Sequence, residues 1–139
     1  MPTEIYAVLL GVFVGGFITY YFSVKLAAKQ QRLISAANLR ASFSYTISQM
    51  AIAQTDKNIS IESLLVRTFP DLATAVETFR PFVHCKDRQA YQEAWENYYQ
   101  VGRSVRFFDY YMKDPLEKES KPYEVFTQRI EAFLKYAKL

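Results

Sequence analysis

An all-α protein is predicted, with a single N-terminal transmembrane helix continuing into a small irregular helical bundle. Three features predict it: an uncharged stretch at residues 5–24, apolar residues at helical spacing through most of the chain beyond residue 35, and no clear alternating run of strand length. The chain has 139 residues, half of them hydrophobic, which suits one compact core and excludes disorder. One Cys and one His exclude a disulfide framework and a Cys-rich or multi-His metal module.

Residues 5–24 carry no charge, and twenty helical residues rise about 30 Å, the thickness of a bilayer's hydrocarbon. Eleven of them are Ile, Val, Leu or Phe. Together these favour insertion by about 3 to 6 kcal/mol as an upper bound. Tyr6 near one end and Tyr20, Tyr21 and Phe22 near the other suit the headgroup boundary. A cleaved signal peptide fits poorly, because Met-Pro-Thr-Glu lacks a cation and Lys25 interrupts the approach to Ala27-Ala28. A surface-lying amphipathic helix would need a charged face.

Charge sets the orientation. Lys25, Lys29, Arg32 and Arg40 come after the span with no acidic residue among them, and only Glu4 precedes it. The positive-inside rule then puts the N-terminus outside and the rest of the chain in the cytoplasm, where the lone Cys85 would stay reduced. Beyond residue 40 the 13 basic and 13 acidic side chains balance. The excess charge is therefore a juxtamembrane signal for anionic lipid headgroups, and nucleic acid is not an expected partner. Along the span Ala7, Gly11, Gly15, Thr19 and Ser23 recur every four residues, including one G-x-x-x-G. Such a ridge lets helix backbones approach closely and points to self-association, although small residues are common in membrane helices.

The expected organisation is a transmembrane helix with its basic flank at 1–28, a juxtamembrane helix at 29–54 and a cytoplasmic helical domain at 55–139. From Lys25 to Gln54 there is no Pro or Gly, and Ala36, Leu39, Phe43, Ile47 and Met50 recur at helical spacing, so the first helix continues past the membrane and packs on the domain. Thr55-Asp56-Lys57-Asn58 reads as its break. Ser60 caps a short helix through about Arg67, and Thr68-Phe69-Pro70-Asp71 starts a second through about Arg80. Asp87 caps the next, with Ala90, Tyr91, Ala94, Trp95 and Tyr98 on one face, interrupted or ended by Gly102. Residues 103–121 are the least patterned, and Ser104 to Tyr111 could be a short extended stretch. Ser120 caps a final helix whose face is Tyr123, Phe126, Ile130, Phe133, Leu134 and Ala137.

This layout resembles small, uncharacterised bacterial inner-membrane proteins. The residues that carry the likeness are Ala-Asn-Leu-Arg-Ala-Ser-Phe at 37–43, Phe69-Pro70, Phe79-Arg80-Pro81-Phe82 and Tyr91…Ala94-Trp95…Tyr98-Tyr99, over about residues 1–100. The resemblance implies the single-pass topology and a bacterial plasma membrane, and it brings no catalytic or binding residue with it.

Chemistry is sparse. No Gly-rich phosphate loop, H-E-x-x-H, C-x-x-C or G-x-S-x-G occurs. His84-Cys85 is the one adjacent pair with nucleophile-and-base character, and ordinary loop structure is the favoured reading. Asp114, Glu117 and Glu119 could attract a cation, but Lys113, Lys118 and Lys121 neutralise them. Eight aromatic residues fall within 91–111, and core is their first reading. The second is a partner surface using Trp95, Tyr99, Arg103 and Arg106. In Phe79-Arg80-Pro81-Phe82 the rings should point inward, with Arg80 paired to Glu77 or Asp87. No enzyme, cofactor or metal site is expected. The expected function is a membrane-tethered interaction or adaptor module that docks itself or another membrane or cytoplasmic protein. The alternative is a membrane-acting effector, in phage defence or stress, assembled through the small-residue ridge.

Overall fold

The computed structural model describes residues 2–99, 107 and 122–138. Among them the helices are α1 (Pro2–Thr55), α2 (Ile61–Phe79), α3 (Arg88–Tyr99) and α4 (Pro122–Leu134), with 3-10 turns at Arg80–Phe82, Cys85–Asp87 and Lys135–Ala137 and no strand. The all-α expectation holds. The chain divides into two compact units, Met1–Ile34 and Ser35–Leu139. The packed unit begins at Ser35, partway along the segment expected at 29–54 to continue the first helix and pack on the domain.

The N-terminal unit is helix alone. Every side chain from residue 5 to residue 34 is exposed, including Phe13, Phe17 and Leu10. One 18-residue window is apolar and uncharged enough to cross a membrane, and none of it is buried in the protein.

The second unit starts with the C-terminal part of α1. Ala36, Leu39, Phe43 and Met50 are buried there, and Ile47 packs against them, as their helical spacing predicts. The helix stops at Thr55, where Asp56 takes over the chain: its Oδ1 accepts from Asn58 N at 2.9 Å and its carbonyl from Ile59 N at 3.2 Å. Ser60 Oγ then accepts from Ser63 N at 3.3 Å and caps α2.

The expected pair of helices at 61–80 is one. Pro70 lies inside α2, and Thr68 does not cap a new start. Its hydroxyl turns back onto the carbonyls of Leu64 and Leu65, at 3.1 and 3.3 Å. Burial decides the matter. Leu64, Leu65, Thr68, Leu72, Val76 and Phe79 form one continuous inward stripe that two helices would break. The donor that Pro70 lacks belongs to the carbonyl of Val66, and Val66 and Pro70 are both exposed, so water can serve it.

After α2 the chain turns through Arg80–Phe82. Arg80 pairs with Glu77 at 3.0 Å and also donates to Gln92, tying the end of α2 to α3. Asp87 does not cap α3 as its position suggests. It closes the preceding 3-10 turn, and the cap in this corner is His84, whose side chain accepts from Lys86 N. Tyr91, Trp95 and Tyr98 face inward from α3, while Ala94 is half-buried and Ala90 exposed. Phe126, Ile130, Phe133 and Ala137 do the same from the C-terminal segment.

The core is largely aromatic. The ring of Phe43 meets Trp95, Tyr98 and Phe133 at centroid distances of 6.4, 5.7 and 5.3 Å. The Trp95 indole lies nearly parallel to Phe69 at 5.5 Å and to Tyr98 at 5.4 Å. Such contacts add about 0.5–1.5 kcal/mol each beyond area burial. Phe107, buried, closes on Phe69 and Tyr98 from a left-handed backbone with φ of 61°, a conformation unusual for a residue with a Cβ. The expectations for Ser104 to Tyr111, for the end at Gly102, for the turns at Asp114-Pro115 and Lys121-Pro122 and for the Ser120 cap otherwise lie outside the described residues.

Candidate functional site

Two regions carry the candidate residues, one in each unit. In the first, Ala7, Gly11, Gly15, Thr19 and Ser23 are all exposed. A Cβ placed on Gly11 or Gly15 would meet nothing within 4 Å, so these glycines are not required by packing within the chain. The two hydroxyls are internally satisfied: Thr19 Oγ1 donates to Gly15 O and Ser23 Oγ to Thr19 O, each at 2.8 Å. A hydroxyl bonded to its own helix adds little desolvation cost in lipid or against another helix.

The basic residues separate into two groups. Lys25, Lys29 and Arg32 are exposed, and Lys25 Nζ sits 4.5 Å from the centre of the Tyr21 ring. Arg40 differs. It is half-buried, and its Nε donates to the carbonyl of Ala137 at 2.6 Å. Its guanidinium is held by the C-terminal end of the domain, unlike the other three basic residues expected to set the orientation.

In the second unit the partner-surface set also divides. Trp95 is 4 % exposed and is core, which corrects its candidacy as a contact residue. A large indole at the centre of the inward stripe of α3 buries too much area to be left in water. Tyr99 is half-buried against Phe69 and Trp95, both at 5.2 Å. Arg103 and Arg106 lie outside the described residues, as do Asp114, Glu117 and Glu119.

His84 and Cys85 are exposed, with Cys85 Sγ 3.8 Å from His84 Nδ1. The same nitrogen accepts from Lys86 N at 3.3 Å, so the neutral imidazole carries its proton on Nε2 and serves the turn. Tyr91 is buried and donates from its hydroxyl to Val76 O at 2.8 Å. Burial pushes its phenol well above the ordinary range, with the nearby Arg80 pulling the other way. Among the described residues no three His, Cys, Asp or Glu side chains come together as a metal-binding group.

The domain surface has a groove of about 550 Å³ between α3 and α4, floored by Ala90, Ala94 and Ala132 and edged by Glu93, Arg129 and Lys135. Its rim mixes both signs of charge, which selects for no single class of ligand. Among the described residues, the large apolar side chains exposed on this unit are Tyr45 and Ile52 on α1 and Val66 on α2. Sequence reasoning missed all three, since each sits one or two positions from a stripe that is buried.

Comparison with known proteins finds no family model, no curated protein and no solved structure that matches this chain.

Proposed function

We propose that this protein is a membrane-tethered interaction module of a bacterial plasma membrane. Residues 5–24 span the lipid, the short N-terminus is outside, and the helical unit is presented to the cytoplasm. One observation carries the reading: the apolar window of α1 is wholly unburied by the protein itself. A core helix of a water-soluble protein would be covered, whereas twenty uncharged, uncovered residues find their apolar environment in a bilayer. Lys25, Lys29 and Arg32, exposed immediately beyond, supply the inward bias and the attraction to anionic headgroups. Interaction is favoured because the second unit buries its own large side chains and still presents Tyr45, Ile52 and Val66 to its surroundings.

Extraction of isolated membranes at alkaline pH, with a reporter fused behind Leu139, tests the reading. The protein should stay in the pellet and the reporter should be active only on the cytoplasmic side. Release into the aqueous fraction would remove the span, and a reporter active only outside would reverse the orientation. Within the membrane, Gly11→Leu with Gly15→Leu should weaken association between spans without unfolding the domain, because both positions open onto free space.

A further inference from the structure

A second groove, of about 310 Å³, opens between α1 and α2 on the surface of the helical unit. Its polar side chains are electron-rich. Three hydroxyls line it, and each spends its proton on its own helix: Ser42 Oγ donates to Asn38 O at 3.0 Å, Thr46 Oγ1 to Ser42 O at 3.1 Å and Thr68 Oγ1 to Leu64 O at 3.1 Å. What such a hydroxyl has left for a guest is a lone pair. Tyr45 adds an aromatic ring that is 56 % exposed, and of the lining side chains only its phenol keeps a proton to give. Asp71 adds the one charge on the lining. Its carboxylate is exposed and makes no ion pair with Arg67, one turn earlier on α2, or with any other described residue.

Lone pairs, a π-face and an unpaired carboxylate select one chemistry. An anion would meet like charge here, and a neutral guest would leave Asp71 without a counterpart. A guest that answers all three is a cation with several N–H donors. A guanidinium does this better than an ammonium, because it is planar, stacks on an aromatic ring and fans out five donors. The space lies at the small end of ligand pockets, which run from about 300 to 1,000 Å³, and suits one long side chain. Ala41 and Leu72 give its stem an apolar wall. An exposed carboxylate holds a free ion weakly, so the cation is one carried by a protein and aided by the contacts around it. We infer that the groove receives an arginine side chain of a partner protein, its guanidinium against Asp71 and the Tyr45 ring. The inference deepens the interaction-module reading and rests on it.

The test titrates the full chain, nitrogen-15 labelled in uncharged detergent, with N-acetyl-arginine amide and with its neutral counterpart N-acetyl-citrulline amide. The arginine probe should shift the backbone amide signals of residues 41–46 and 68–72 to saturation, and the citrulline probe should bind about tenfold more weakly. Asp71→Asn and Tyr45→Leu, both at exposed positions, should each weaken the arginine probe about two- to fivefold while Trp95 fluorescence stays that of the folded domain. Equal binding of the two probes, or no shift in these residues, would overturn the inference. So would binding that ignores both substitutions. Methylguanidine binding as tightly as the arginine probe would give the groove to a free small cation in place of a side chain. A protein that crosslinks in native membranes equally to the unaltered chain and to Asp71→Asn would overturn the groove as the docking point and leave the interaction module standing.

Discussion

Arg40 and Ala137 are joined by a 2.6 Å hydrogen bond from Nε to a backbone carbonyl, across 97 positions of chain. The acceptor closes the 3-10 turn Lys135–Ala137, where helix-end carbonyls lack intrahelical donors and carry partial negative charge. Arg40 thus fastens the end of the domain to α1.

Replacing Arg40 by Ala should lower the stability of the domain by about 1.5–3 kcal/mol, the usual worth of a hydrogen bond from a charged group. Arg40→Lys should recover only part, since an ammonium lacks the planar fork. Hydrogen exchange should quicken first in the last turn of the chain. Topology should not change, with Lys25, Lys29 and Arg32 still in place. A reporter that switches sides in Arg40→Ala, with exchange unaltered, would return Arg40 to the headgroups.

Trp95→Ala should cost about 3–5 kcal/mol, as for other large core rings, and Trp95→Phe distinctly less. Because Trp95 is the sole tryptophan, its fluorescence reports on its surroundings directly. Emission should be that of a buried indole, poorly quenched by acrylamide until the domain unfolds. Easy quenching in the native state would put the ring on the surface.

Pro70→Ala should stabilise the protein. An interior proline is worse than alanine by about 3 kcal/mol. The freedom it removes from the unfolded chain returns only about 0.4–1 kcal/mol. A gain of about 2 kcal/mol in chemical denaturation is therefore expected. No gain would indicate that Pro70 begins a helix rather than interrupting one.

Tyr91 makes the domain sensitive to alkali. Its phenol ionises near 10.0 in an unfolded chain and, being buried, at higher pH in the folded one. The folded state therefore keeps its proton while the unfolded state loses one. The stability contributed is whole below about pH 10 and falls above it by about 1.4 kcal/mol per pH unit. Tyr91→Phe should be less stable at neutral pH, through loss of the 2.8 Å bond to Val76, and should decline less steeply in alkali. Parallel declines for the two proteins would show that Tyr91 titrates normally.

What could be read in the sequence was periodic or local. Leu39, Phe43 and Met50 sit one or two turns apart, so their shared face comes from helix geometry alone. The Ser60 cap and the Glu77–Arg80 pair each span three residues, and both form. What escaped was set by distant packing. Pro70 signals a helix start by every local rule, and the stripe from Leu64 to Phe79 overrules it. Arg40 looks like one more flanking cation until the end of the chain folds back on it. The fifteen uncharged residues at 41–55 were visible in the sequence, but which of them the domain buries was not.

Cys85, the chain's single cysteine, is exposed on the turn ahead of α3, remote in sequence from the apolar stretch at 5–24. The natural protein thereby comes with its own attachment point for a thiol-directed dye. A maleimide unable to cross a bilayer should leave Cys85 unmodified in intact cells and tag it once the inner leaflet is opened, which lets the unaltered polypeptide report its sidedness.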